Sequence, residues 1–182
     1  MKNARAFTFL AMLCGLAPLN AEVQEEITPQ LIATWDIAKV GDVPFNVAGT
    51  NSSGTNVSIE ALKGKVVLVY FFHAKTGAGI QEFKLINKYI WTPLHPKGLE
   101  IIAVARDSKT SELTDVLKQV PTTIPVIADT DESIFHHFAT RGHPRTYLIG
   151  RDGRIKFKNF GFDDDEVEAV RQASIRELSG TR

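Results

Sequence analysis

Few residues in this 182-residue chain have the type and spacing to do chemistry, and they gather around one loop. The stretch Val66 to Phe83, VVLVYFFHAKTGAGIQEF, passes from a continuous apolar run through a short loop into helical spacing. A buried strand feeding a helix in this way places a helix N-terminus at the carboxyl end of a sheet, where ligands and reacting groups commonly sit in open α/β proteins. The residues in that place are Thr76, Gly77, Ala78 and Gly79. None is a strong nucleophile, acid, base or metal ligand. A threonine hydroxyl becomes a nucleophile only beside a base, and His73 precedes it by three residues. The remaining candidates have plainer readings. His136 and His137 are adjacent on a short helix and point apart, so they do not share an ion. His95 lies among prolines and reads as a surface residue. Asp163 to Glu166 lacks the alternating ligands and glycine of a calcium loop and suits the positive end of a helix instead.

The elements that must position this loop follow from hydrophobic patterning. Val66 to Phe72 is a short, β-branched and aromatic run, the pattern of a strand buried on both faces. Ile80, Phe83, Ile86, Tyr89 and Ile90 share one helical face, so a helix is expected from Gly77 to Trp91, ending before Pro93 and Pro96. Leu99 to Ala105 is a second fully apolar strand, which completes a parallel βαβ unit. Ser111 to Val120 reads as a helix and Pro125 to Ala128 as a short strand. Asp129 to Thr140 reads as a short helix with Asp131 as its cap. Thr146 to Gly150 and Arg154 to Phe160 flank a D-G turn and form a hairpin. A last helix runs from Asp163 to Leu178. Upstream, Phe45 to Ala48 and Asn56 to Ile59 form a hairpin around the turn-rich Gly49 to Gly54. Lys63 and Lys65 flank a turn and read as solvated.

Composition sets the outer bounds. The chain is 43% hydrophobic and 23% charged, with balanced charge, and no basic stripe points to nucleic acid. Lys2 and Arg5, then the apolar Ala6 to Ala17, then Pro18-Leu19-Asn20-Ala21 have the layout of a secretory signal. Residues 1–21 are therefore expected to be a signal peptide cleaved after Ala21, with 22–40 a connecting stretch holding a helical turn near Pro29 to Ile37, and 41–180 the domain. No membrane span is expected after that cleavage, because the apolar run falls well short of the ~20 residues that cross a bilayer. Removing the signal leaves a slight acidic excess. The only cysteine, Cys14, lies inside it, so the processed protein would enter an oxidising compartment, secreted or periplasmic, with no thiol.

Four stretches together resemble the redoxin branch of the thioredoxin fold, the TlpA-like thiol-disulfide reductases and AhpC/TSA-type peroxiredoxins. Gly41-Asp42-Val43-Pro44-Phe45 resembles the opening motif of that family, one spacing residue short. Gly64 to Phe72 resembles its GKVVLVNFW strand, Ile124 to Asp129 its fPvl.D strand, and Gly142-His143-Pro144-Arg145-Thr146-Tyr147-Leu148-Ile149 with Asp152 to Ile155 its GvPttflId.dGri hairpin. The resemblance implies an α/β thioredoxin-like fold, a central mixed sheet flanked by helices, with an N-terminal β-hairpin extension. It also implies oxidoreductase activity, but the W-C-x-x-C of the family falls on Lys75-Thr76-Gly77-Ala78-Gly79. Thr76 and Gly79 replace both cysteines. The first cysteine works as a thiolate whose pKa the helix N-terminus lowers, and neither Thr76 nor Gly79 supplies a counterpart.

The resemblance further implies that Pro144 is a cis-proline and that its loop faces Thr76 to Gly79, offering backbone groups to an extended peptide. It brings His143 toward His73 and Thr76, and places Glu82 where relatives carry an acidic residue that helps tune the thiols. Three functions follow as expectations. The first is a redox-inactive binding module for an extended polypeptide or envelope protein, through Thr76, Gly79, His143 and Pro144. The second is an oxidoreductase or peroxiredoxin-like enzyme using altered chemistry at His73, Thr76 and His143. The third is a copper or zinc carrier through His73 and His143, with Glu82 or water, since imidazole suits both metals; copper-delivering relatives use cysteines plus a histidine. No cofactor is expected.

Overall fold

The computed structural model describes residues 27–180. Its elements in chain order are α1 (Pro29–Trp35), β1 (Ala48–Thr50), β2 (Asn56–Ser58), β3 (Val66–His73), α2 (Gly77–Leu85), α3 (Thr92–Leu94), β4 (Leu99–Arg106), α4 (Thr110–Gln119), β5 (Val126–Asp129), β6 (Arg145–Ile149), β7 (Ile155–Phe160) and α5 (Asp164–Ser179). Five strands form one mixed sheet in the order β5-β4-β3-β6-β7. The βαβ unit β3-α2-β4 is parallel, as are β4 and β5, while β6 runs antiparallel to both β3 and β7. The hairpin β1-β2 stands outside this sheet. The signal segment and Cys14 lie outside the described residues.

β3 is continuously apolar because the sheet is covered on both faces. Leu68, Tyr70 and Phe72 join Phe83, Ile86, Val116 and Val170 in one core. Val67, Val69 and Phe71 join Phe135, Phe138 and Tyr147 in the other. This arrangement holds β3 rigidly at the centre and fixes where His73, its last residue, emerges.

The helix after β3 departs from expectation. It does not stop before Pro93. α2 passes into a π-helical turn, Ile86–Trp91, then α3, then a 3-10 turn, His95–Lys97, that ends at Gly98 with φ of 99°. The wide turn lets the path tolerate Pro93, which has no N–H to give. It also shifts the helical phase, so Tyr89 is turned to solvent while Ile90, Trp91 and Leu94 take the buried face. His95 is not merely a surface residue: its ring stacks on Trp91 with centroids 3.8 Å apart, and Nδ1 lies 3.1 Å from the Leu99 carbonyl.

The hairpin is shifted too. Its strands are Ala48–Thr50 and Asn56–Ser58, so Gly49 belongs to a strand rather than the turn. Packing explains this, because a Cβ on Gly49 would lie 2.7 Å from Ile127 Cγ2 on β5. The stretch expected to connect the domain packs onto it from α1 onward, with Trp35 buried and Asp36 bridged to Ala139. Lys63 and Lys65 form surface ion pairs with Glu60 and Glu100.

Residues 129–140 hold a single 3-10 turn, Phe135–His137, instead of a helix. Its cap is the buried Asp129, which accepts from the N–H groups of Ile134 (3.1 Å) and Phe135 (2.8 Å); Asp131 accepts only from Ser133 in an exposed turn. The two aspartates should therefore separate in a denaturation experiment. Asp129→Ala strands one buried and one part-buried donor and is expected to cost about 1–3 kcal/mol, whereas Asp131→Ala should stay within about 0.5 kcal/mol of wild type.

Candidate functional site

The loops at the carboxyl end of the sheet bring the expected residues together. β3 delivers His73, and the loop before β6 delivers His143 and Pro144 across a cis peptide bond. The two imidazole rings meet edge to face, with centroids 4.0 Å apart and planes at 85°. Thr76, at the N-terminus of α2, lies on the same rim, but its hydroxyl is not poised against either ring. It donates to the His73 carbonyl (3.3 Å) and accepts from the Gly79 N–H (3.0 Å). Thr76 is the N-cap of α2, and such a cap contributes ~1 kcal/mol to the helix. Its two partners are backbone groups, so no base activates it.

Position 79 explains why the loop cannot simply be read as a dithiol with its sulfurs removed. A Cβ built on Gly79 would lie 2.0 Å from the His73 carbonyl oxygen and 2.9 Å from the carbonyl carbon. The obstruction is backbone, which cannot swing aside as a flexible side chain could. Gly77, by contrast, has open space where a Cβ would go. The first turn of α2 has thus closed onto the end of β3, leaving no room for a side chain at the second cysteine position.

One residue that the sequence reading missed organises the electrostatics. Arg106 ends β4 and stands beside His73 in the sheet register. It is 6% exposed, pairs with Glu132 at 2.9 Å, and lies over the Phe135 ring at 3.4 Å. Its Nη1 also approaches the Gly142 carbonyl, at 3.4 Å. Burial, and then the Arg106 charge, lower the pKa of His73. Burial, then His73, then Arg106, lower His143 to about 4. Both rings are therefore neutral near pH 7. The signal for Arg106 was an arginine directly after an apolar strand, where only a paired charge tolerates burial. Lys75 faces the solvent side of the rim, with Asp107 at 3.5 Å and Glu112 at 3.7 Å.

Glu82 does not join this group. One of its oxygens is buried without a hydrogen-bond partner, and burial raises its pKa. The carboxylate acts on the enclosed Tyr70 phenol, whose pKa burial first and Glu82 second push well above its ordinary range. Among the described residues, no cluster of three or more His, Cys, Asp or Glu is arranged to hold a metal, so Glu82 is not a third ligand for the histidine pair. His136 and His137 diverge as expected, one toward Glu132 at 3.8 Å and the other stacked on Phe45.

The backbone beside Pro144 is open. Among the described residues, neither the N–H nor the C=O of His143 enters an intramolecular hydrogen bond. Two backbone polar groups beside the cis-proline are therefore without an intramolecular partner among the described residues.

Comparison with known proteins places this geometry. The redoxin family profile matches residues 39–173, well over half of the chain. The chain belongs to the redoxin family. It is 26% identical over 152 residues to the thiol-disulfide oxidoreductase ResA of Bacillus cereus, covering 84% of each chain. It is also 26% identical over 120 residues to ResA of Bacillus subtilis, covering 65% of each. Among solved structures, a candidate protein disulfide isomerase from Bacteroides thetaiotaomicron is 25% identical, with a TM-score of 0.74 over 80% of this chain and 93% of its own. A candidate thiol:disulfide interchange protein DsbE from Chlorobium tepidum is 26% identical, with a TM-score of 0.68 over 78% and 99%. The thioredoxin-like fold and the redoxin resemblance are thus established. The only cysteine of this redoxin, Cys14, falls outside the matched segment.

Two measurements follow from this geometry. Gly79→Ala should lower the melting temperature clearly, while Gly77→Ala should leave it unchanged or raise it, by up to about 1 kcal/mol of stability. His143 should titrate near 4 by NMR, and its midpoint should rise in His73→Ala. Because the folded pKa lies below the unfolded value of about 6.5, the unfolded chain binds more protons in that window. Stability should then fall as pH drops from about 7 toward 4.

Proposed function

We propose that this redoxin is an exported, redox-silent binding module that holds an extended polypeptide of the cell envelope between Thr76 to Gly79 and His143-Pro144. The observation that carries the reading is the closure of position 79 against the His73 carbonyl, together with the engagement of the Thr76 hydroxyl by backbone. A dithiol cycle needs two sulfurs at these positions, and a peroxidatic mechanism needs one thiolate. What remains is a backbone donor and acceptor at His143 without an intramolecular partner among the described residues, suited to pairing with a partner chain through main-chain hydrogen bonds. The histidine pair adds two neutral rings to a rim that also carries the ion pairs of Lys75 and Arg106. Export rests on the pattern of residues 1–21. No helix among the described residues is long and apolar enough to cross a membrane.

The enzyme reading, a thiol-disulfide oxidoreductase or peroxiredoxin-like activity through altered chemistry, requires an activated hydroxyl at Thr76, and the hydrogen bonds of that hydroxyl oppose it. The copper or zinc reading is favoured by one observation, that two neutral imidazoles meet at 4.0 Å. It is opposed by the lack of a third ligand among the described residues and by the Arg106 charge, which repels a cation.

The test combines an assay with a probe of the backbone. The purified protein should reduce neither insulin disulfides nor hydrogen peroxide above the uncatalysed rate. Titration with an unfolded model polypeptide should slow hydrogen exchange at the His143 N–H and shift the amide signals of Gly77 and Ala78. Disulfide or peroxide turnover that Thr76→Val abolishes would overturn the reading, as would polypeptide binding that leaves these amides unchanged.

A further inference from the structure

A second polar site lies beside α1. Asp36, directly after that helix, receives Arg145 Nη1 on one oxygen and Lys158 Nζ on the other. Arg145 is 2% exposed and is the largest fully buried side chain among the described residues. Its Nε donates to the Arg141 and Gly142 carbonyls at 3.1 and 3.2 Å. Its Nη2 is buried with no partner. Among the described residues, two cations therefore face one carboxylate, leaving an excess of one positive charge and a guanidinium donor without a partner.

The same residues line a cleft of about 290 Å³ between α1 and the end of β7. Asp36, Arg145 and Lys158 form its polar end, and Ile32, Ala33 and Phe160 supply apolar wall. We propose that this cleft binds a monoanionic carboxylate carrying an apolar body, held by Lys158 Nζ, with the buried Arg145 guanidinium adding positive charge from behind it. The excess of one positive charge matches a single negative charge, whereas a dianion would leave a new imbalance. The Lys158 ammonium can donate to a ligand carboxylate as well as to Asp36, and the apolar wall accommodates a hydrocarbon portion. The carboxylate can belong to a small organic acid or to the C-terminus of a polypeptide with an apolar last residue. This site is separate from the polypeptide groove and stands whether or not that groove binds.

The experiment titrates the full-length protein with hexanoate, with hexanamide, and with an apolar-ended pentapeptide carrying either a free or an amidated C-terminus, at constant ionic strength. The Arg145 Nε–H and Asn159 amide signals report binding by NMR. Hexanoate should saturate and hexanamide should not. Tighter binding of the free-acid peptide than of hexanoate, lost on amidation, would assign the carboxylate to a polypeptide terminus; the reverse order would assign it to a small acid. Lys158→Met retains the aliphatic stem and leaves Asp36 paired with Arg145, so it should weaken hexanoate roughly tenfold while the chain stays folded. Asp36→Asn adds one net positive charge and should tighten binding if the variant folds. Saturation by hexanamide equal to that by hexanoate, or hexanoate affinity unchanged in Lys158→Met, would overturn the proposal. So would the absence of saturable binding by either free acid.

Discussion

The position of one carbonyl oxygen governs this site. His73 ends the central strand, and its carbonyl points into the first turn of α2, where it accepts the Thr76 hydroxyl and excludes any side chain from position 79. The strand cannot yield, because both of its faces are packed by aromatic and branched side chains, and interiors at crystal-like density transmit rather than absorb such strain. The helix cannot withdraw freely either, because Phe83 and Ile86 anchor it in the same core. The exclusion of a side chain from position 79 is therefore built into the backbone, and is more than a changed letter in a motif.

Around that point the polar groups settle into a neutral arrangement. Arg106 is buried but paired with Glu132, and its field helps keep the two histidines uncharged. Two imidazolium ions with ring centroids 4.0 Å apart, beside a guanidinium, would repel one another strongly in a partly desolvated site. The rim thus presents two neutral rings beside the ion pairs of Arg106 with Glu132 and of Lys75 with Asp107 and Glu112. A further ionic group lies at Asp36, Arg145 and Lys158 beneath α1.

Much of the fold was legible because burial on both faces leaves a simple record. β3 and β4 stand out as unbroken apolar runs, and the D-G turn and the acidic start of α5 mark their elements in the same direct way. The π-helical turn was not legible, since the residues Ile86 to Trp91 fit an ordinary helix and only Pro93 further on forces the wider path. The strand position of Gly49 depends on Ile127, which is remote in sequence. The Asp129 cap was hidden because a strand-ending aspartate and the exposed Asp131 look equally suitable. At the site, the motif loop and Pro144 were recognised through family resemblance. The meeting of His73 with His143 needed the fold, and Arg106 was overlooked because a charge after an apolar strand reads as a terminator rather than a buried partner.

The most direct measurement restores both sulfurs. Thr76→Cys with Gly79→Cys gives this redoxin the dithiol spacing of its relatives, and the oxidation state and stability of the pair report on the room available at position 79. If the His73 carbonyl closes that position, the double variant will be clearly less stable than wild type. After mild oxidation it will also keep both thiols free to a thiol reagent, with no insulin-disulfide reduction. A double variant of wild-type stability that forms an intramolecular disulfide and turns over insulin would contradict the account, because it would mean that only the two side chains, and not the backbone, separate this chain from an active oxidoreductase.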